Sequence, residues 1–158
     1  MEEGKLFHIG TVMSVMSGMG LRGLDDLKEI LVYMTGDSTL WIIQYLRVCE
    51  ECIPYLIRQH PQLGHYKIRG WIRGLQEAYE ALQDKSQKQA LFDEWVQKLI
   101  DGKEFGIQCP EQLEVNKIPA FAHKVINPFK EAMPLIEEDM SKKWDFEQEA
   151  KKLWEDLC

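Results

Sequence analysis

The sequence predicts a mainly α-helical, compact, single-domain protein with about five to six helices. Apolar residues recur at intervals of three and four along most of the chain after Leu24, and glycine or proline ends most of these stretches. The chain has 158 residues, of which 45% are apolar and 28% charged, which suits one globular domain. We therefore expect residues 1–158 to form one helical domain.

The first 23 residues do not share this helical pattern. Lys5 to Ser17 mixes β-branched and small residues, and glycines follow at 18, 20 and 23. β-branched residues favour strands, and clustered glycines interrupt regular structure. A short N-terminal strand or an extended arm is therefore expected within residues 1–23.

Two helices are predicted in the next part of the chain. The first starts at Leu24 and ends at Gly36, because an acidic first turn and a terminal glycine suit the two ends of a helix. The second starts at Asp37 or Ser38 and continues to Gln59. It is apolar nearly all round, which predicts burial, and Pro54 should kink or break it.

The pattern continues with two further helices, over 68–82 and from Ser86 to Ile100. Ser86 and Gln89 match a capping box at the start of the second of these. Residues 103–118 look like a loop with a short extended piece near 105–108.

The last part of the chain predicts less regular structure followed by one more helix. Two short helices or turns are expected after Pro119, because Pro128 and Pro134 interrupt the apolar pattern. A final helix is expected from Ser141 onward, with an acidic outer side.

Charge and cysteine usage restrict the classes of partner and compartment. A net charge of −7 makes extensive nucleic-acid binding unfavourable, because phosphates require clustered cations. No apolar stretch reaches the roughly 18 residues of a membrane helix, and the N-terminus lacks a secretory signal. A domain of this length needs no disulfides, so its four cysteines predict reduced thiols and a cytoplasmic protein.

Several motifs resemble one group of small, uncharacterised proteins encoded by bacteriophages and prophages. The most specific are the Tyr-Met-Thr-Gly-Asp turn at 33–37 and the Gln-His-Pro-Gln-Leu helix stop at 59–63. The weaker matches are Ser14–Gly18, Leu24–Leu31, Gln44, Arg47, Glu50, Glu51, Pro54, Leu56, Ile118, Pro119 and Asn127–Glu131. The resemblance implies a phage or prophage origin and a bacterial host cell, and it implies no particular activity.

One chemical hypothesis is a zinc site. Zinc favours four thiolate or imidazole ligands, and Cys49, Cys52, His60 and His65 offer such a set within seventeen residues. The spacing between the two pairs is shorter than in zinc fingers, and free cysteines are commonly buried as small apolar residues. No cofactor is therefore predicted, with zinc kept as an alternative.

A second hypothesis is a ligand pocket near residues 33–60, in a small nucleotide- or metal-dependent enzyme or a ligand sensor. The start of a helix offers free N–H groups to an anion. The candidate ligand-binding residues are Thr35, Gly36, Asp37, Ser38, Gln44 and Arg47. Asp37 would repel phosphate, and the competing interpretation is that Gly36 ends one helix while Asp37 or Ser38 caps the next.

A partner-binding surface is the third hypothesis and the one the sequence favours. Basic residues alternate with a tryptophan in one stretch, and a nearby arginine adds to them: Lys67, Arg69, Trp71, Arg73 and Arg58. Such a surface could contact nucleic acid or an acidic partner, although the helical spacing turns Trp71 toward the core. The competing interpretation is an ordinary solvated helix face. Because no nucleophile and base form a recognisable catalytic motif, we expect a binding protein rather than an enzyme.

The predicted function is therefore that of a phage-type intracellular protein which recognises a host or phage protein and inhibits or modulates it. The acidic final helix is a second candidate surface, and a homodimer formed through exposed apolar residues stays open.

Overall fold

The computed structural model describes residues 4–131 and is mainly α-helical, which confirms the predicted fold class. The chain divides into two compact units, Met1–Lys124 and Val125–Cys158. In the second unit, residues 128–131 are helical. The elements of the first unit are β1 (Lys5–His8), α1 (Ile9–Ser17), α2 (Leu24–Thr35), α3 (Tyr45–Gln59), α4 (Tyr66–Ala81), α5 (Lys88–Asp101) and β2 (Gln112–Val115).

The N-terminal segment is a strand followed by a buried helix. The short strand is confirmed at Lys5–His8, but the expectation of an arm through residue 23 is wrong because α1 is buried from Ile9 to Val15. Its β-branched residues suggested an extended chain, yet a helix buried on every side shows no apolar stripe to reveal it. The imidazole of His8 caps α1 by accepting a hydrogen bond from the Gly10 N–H at 3.0 Å.

The two strands form a small antiparallel sheet with Lys5 opposite Val115 and His8 opposite Gln112. The extended piece expected near 105–108 therefore lies at 112–115 instead, because only there does the chain pair with β1. The predicted 103–118 loop is interrupted by this strand.

The apolar core lies around α1, which packs against α2, α3 and α5. α2 buries Leu27, Ile30, Leu31 and Met34 on one face, as its spacing predicts. Gly36, with φ of 72°, ends α2 in the left-handed conformation. The first predicted helix is therefore confirmed.

The second predicted helix starts later than expected. Residues 37–40 form a turn, Ile42–Gln44 form a 3₁₀ turn, and α3 begins only at Tyr45. Burial all round is also wrong, because the segment from Trp41 to Ile43 is exposed. α3 continues unbroken through Pro54, which lies at an exposed position.

α4 and α5 confirm the next two predicted helices, with one correction. Ser86 lies in a 3₁₀ turn before α5, and Gln87 precedes the helix without a side-chain cap. The amide of Gln89 donates instead to the Leu21 carbonyl and to Asp93. The predicted Ser86–Gln89 capping box is therefore wrong.

The 116–124 segment runs from β2 back over α2 and α3. The Asn116 N–H donates to the Gln59 side chain, whose amide donates in return to the Asn116 carbonyl. The Ile118 N–H donates to the Met34 carbonyl at 2.9 Å. The segment ends in a 3₁₀ turn, Ala120–Ala122, in agreement with the short helices or turns expected there, whereas the helix expected from residue 141 lies outside the described residues.

Candidate functional site

In the predicted ligand-binding turn, polar side chains form hydrogen bonds with nearby residues of the same segment. The Thr35 hydroxyl donates to the Leu31 carbonyl and accepts from the Asp37 N–H. One carboxylate oxygen of Asp37 accepts from both the N–H and the hydroxyl of Thr39. Gly36 and Ser38 are exposed, but the side chains of Thr35 and Asp37 are already used within the protein.

The second oxygen of Asp37 forms a hydrogen bond with His123. Their Oδ2 and Nε2 atoms lie 2.9 Å apart, and the other ring nitrogen, Nδ1, lies 2.8 Å from Oε1 of Glu51. The His123 and Asp37 side chains are only 3% and 6% exposed. Each ring nitrogen thus faces one carboxylate oxygen, and the imidazole bridges the two acidic side chains.

Glu51 connects this cluster to the backbone of the 116–124 segment. Its Oε2 accepts from the Lys124 N–H at 2.9 Å, and Arg47 donates to both of its oxygens at 3.2 Å. Arg47 also donates to the Lys124 carbonyl. We call Asp37, Arg47, Glu51 and His123 the His123 cluster.

The charge balance of the cluster lowers the pKa of Asp37. Burial acts to raise this pKa, but hydrogen bonds from His123 and Thr39 to the carboxylate outweigh it. The ionised form of Asp37 is thus favoured in the folded protein.

The arrangement of the cluster suits a structural role, in which it holds the 116–124 segment against α3 and the turn after α2, rather than proton transfer. Both nitrogens of His123 are engaged, and the ring occupies the space between the 35–39 turn and α3. A general base needs a free nitrogen within reach of a substrate proton. Gln44, another predicted ligand residue, is buried and accepts from the Trp41 N–H.

His123 was not identified as a candidate by the sequence analysis. Asp37 and Arg47 were identified as candidates, but their partner lies 86 residues after Asp37. No periodicity or motif spans such a distance.

The four residues of the zinc hypothesis have separate structural roles and do not form one group. Cys49 and Cys52 are buried in α3, and burial raises the pKa of each thiol to about 12. His60 bonds to the Glu114 carbonyl, and His65 caps α4 by accepting from the Lys67 N–H. Within residues 4–131, no three histidine, cysteine or acidic side chains form a group that could hold a metal ion.

The predicted basic surface is correct in part. Arg69 and Arg73 are exposed on α4, but Trp71 is fully buried and donates from its indole N–H to the Trp95 carbonyl at 2.8 Å. Its assignment to a partner surface is wrong because Trp71 shares the inner face of α4 with Ile68 and Leu75. Lys67 donates to the Gly106 carbonyl.

Arg58, the fifth predicted residue of the basic surface, lies on α3 rather than α4. It is exposed, and its guanidinium lies 5.1 Å from the centre of the Tyr55 ring.

Large apolar side chains are exposed around the start of α3. Ile42 is 61% exposed and Leu46 66%, although Leu46 also lies against Gly18 at the end of α1. Phe121 is 86% exposed, and its segment is fastened beside the first turns of α3 by the bonds of Lys124 to Arg47 and Glu51. We define the apolar surface as Trp41, Ile42, Ile43, Leu46 and Phe121.

A shallow cleft of about 170 Å³ borders this surface between α1 and α3. Met16, Gly18, Leu46 and Ile53 contribute to its walls, and Glu50 is its one acidic lining residue. An apolar side chain of a partner would fit a cleft of this composition.

Comparison with known proteins gives one family match. A model described as a domain of unknown function (DUF7736) matches residues 7–65, which is less than half of the chain. No curated protein and no solved structure matches the sequence. The matched part contains Asp37, Arg47, Glu51 and most of the apolar surface, but it contains neither His123 nor any residue of α4.

Among residues 4–131, no helix has the length and apolarity needed to cross a membrane.

Proposed function

We propose that this chain is a phage-type binding protein that recognises a host or phage protein in the bacterial cytoplasm and inhibits or modulates it. The apolar surface carries the proposal. Five large apolar side chains are exposed around the start of α3 and on the 116–124 segment that is bonded to α3, and exposed apolar patches typically mark a protein interface.

The composition of the surface supports a protein partner. Trp41 and Phe121 are aromatic, and aromatic side chains supply much of the binding energy at interfaces. Arg47, the cation nearest to these residues in the chain, is already paired with Glu51. The surface therefore offers apolar contact rather than a site for a charged ligand.

The rigidity of the surface also supports binding. The His123 cluster fixes the 116–124 segment, and with it Phe121, to the turn before α3 and to α3 itself. A surface that is ordered before binding loses less entropy when the partner docks. Asp37 and Arg47, which were expected to hold a small ligand, thus help to fix the position of the 116–124 segment. This role favours a binding protein over a ligand-dependent enzyme.

Affinity capture tests this proposal. The tagged full-length protein is incubated with lysate of infected bacteria, and recovered proteins are compared between the wild type and the variants Leu46→Asn and Phe121→Asn. A recovered protein is then purified and titrated by calorimetry. We expect each substitution to weaken binding by about thirtyfold, as is typical of an interface anchor.

A matched control uses another exposed leucine. Leu6 on β1 is 61% exposed, close to the value for Leu46, so Leu6→Asn makes the same chemical change elsewhere. Binding that survives Leu46→Asn and Phe121→Asn, or that Leu6→Asn weakens equally, would contradict the proposal.

The apolar surface could instead bind a second copy of the same chain, and this alternative needs its own test. Light scattering of the purified protein should give the monomer mass over a wide concentration range. A dimer that Leu46→Asn dissociates would assign the apolar surface to self-association instead of a different protein.

A further inference from the structure

Gly70 has no structural reason to be a glycine within the described chain. It lies inside α4, where a Cβ atom would meet no other atom within 4 Å. Among the glycines of residues 4–131, every other one has positive φ or a neighbour within 4 Å of an added Cβ. Glycine in a helix interior is less favourable than alanine, because it loses more backbone freedom on folding.

Gly74, one turn later, shows that a glycine on α4 can permit close packing of another helix. An added Cβ there would lie 2.8 Å from the ring of Trp95 on α5. Gly74 thus allows α5 to approach α4 closely. Gly70 is four residues earlier, on the adjoining part of the helix surface, where no described residue lies within 4 Å of an added Cβ.

Two arginines flank Gly70 on the exposed side of α4. Arg69 and Arg73 are separated by one turn, and neither guanidinium forms a hydrogen bond or ion pair within residues 4–131. Glu77 follows one turn after Arg73 without pairing with it, so the positive charge is confined to the first half of the helix. Tyr66, also on this side, is 71% exposed.

We propose that this face of α4 binds an acidic helical segment of a partner protein, which crosses α4 at Gly70 and pairs its carboxylates with Arg69 and Arg73. Close approach at a small residue is a typical feature of helix packing, and paired arginines suit carboxylates one helical turn apart. Two cations are too few to neutralise a nucleic-acid backbone. The proposal does not depend on the apolar surface.

NMR titration of the ¹⁵N-labelled full-length protein tests this inference. The probe is a capped, alanine-rich helical peptide with glutamates four residues apart, and a short oligothymidine serves as a second polyanion. We expect the peptide to shift amide signals of residues 66–74 and to bind more tightly than the oligonucleotide. No localised shift at about 1 mM peptide, or tighter binding of the oligonucleotide, would overturn the proposal.

Charge-reversal variants separate this face from the rest of the surface. Arg69→Glu together with Arg73→Glu should weaken peptide binding at least about tenfold. Arg58→Glu is the control, because Arg58 is an exposed arginine on α3. Equal weakening by Arg58→Glu would indicate a general charge effect and contradict the docking site.

Gly70→Ala tests the close approach itself. The added methyl group meets no atom of residues 4–131, but it would hold a crossing helix away from α4, so we expect peptide binding to weaken at least about threefold. Gln76→Ala, at another exposed position of α4, should leave binding unchanged. Unchanged binding in Gly70→Ala would overturn the crossing at Gly70.

Discussion

The Nε2 atom of His123 lies 2.9 Å from Oδ2 of Asp37, although 86 residues separate them in the chain. The opposite ring nitrogen bonds to Glu51, so one buried side chain connects the turn after α2, the middle of α3 and the 116–124 segment. Hydrogen bonds to ionised groups are stronger than neutral ones, particularly away from water. The His123 ring therefore holds the segment that carries Phe121.

His123→Ala should destabilise the protein by about 3 kcal/mol. Removing the ring leaves the carboxylates of Asp37 and Glu51 without the hydrogen bonds that it makes to them, and a buried polar group without its partner is costly. The free energy of unfolding from urea denaturation measures the loss.

The control for this substitution is His65→Ala. His65 is exposed and caps α4 through one hydrogen bond, so its loss should cost about 1 kcal/mol. If the two variants lost equal stability, the His123 cluster would be no more than a surface contact.

Because of Asp37, the free energy of unfolding should decrease at acidic pH. Because its pKa is lowered in the folded state, ionised Asp37 contributes stability above the unfolded pKa of about 3.9. That contribution is lost as pH decreases through the lower pKa of the folded state. Urea midpoints measured from pH 6 to pH 2.5 should therefore decrease more steeply for the wild type than for Asp37→Asn.

Thr39→Val provides an intermediate case. It removes the hydroxyl donor to Asp37 but leaves the backbone N–H donor and His123 in place. Its acid dependence should lie between those of the wild type and Asp37→Asn. A wild type and an Asp37→Asn variant with parallel acid profiles would contradict the lowered pKa.

Sequence patterns predicted the helices that bury only one face. α2 and α4 have apolar residues at intervals of three and four because one side meets the core and the other meets water. α1 was missed because both sides are buried, which removes the contrast between faces. Long-range bonds such as that between Asp37 and His123 have no local pattern to reveal them.

Trp41 and Trp71 also show that local sequence patterns do not fix the environment of a side chain. Trp71 was included in the basic surface although its spacing turns it toward the core, and it is buried, whereas Trp41 was expected in a buried helix and is 47% exposed. The phase of α4, set by Ile68 and Leu75, directs Trp71 inward. Trp41 precedes α3, whose start depends on packing of the 35–40 turn rather than on the apolar content of the segment.

The cysteines of α3 should react slowly in the folded protein. With the pKa of Cys49 and Cys52 raised to about 12, the thiolate fraction at pH 8 is about a thousandfold lower than for a thiol with the ordinary value of 9.0. The measurement is reaction with a chromogenic disulfide reagent in a Cys158→Ser variant, which keeps Cys49, Cys52 and Cys109.

The same variant unfolded in urea provides the comparison. Three thiols should then react rapidly, because the burial that raises the pKa of all three buried cysteines is lost. Rapid reaction of Cys49 or Cys52 without denaturant would show that α3 opens readily.

Gly70 and Gly74 should respond in opposite directions to the same substitution. Gly74→Ala places a methyl group against the Trp95 ring, which Phe105 and Lys98 also contact, so we expect a loss of about 1–2 kcal/mol in stability. Gly70→Ala meets open space and should gain about 0.5–1 kcal/mol from helix propensity. Urea denaturation of both variants under identical conditions measures the difference. Destabilisation by Gly70→Ala would mean that packing within the protein already requires the glycine, whereas a gain would show that the fold does not require it.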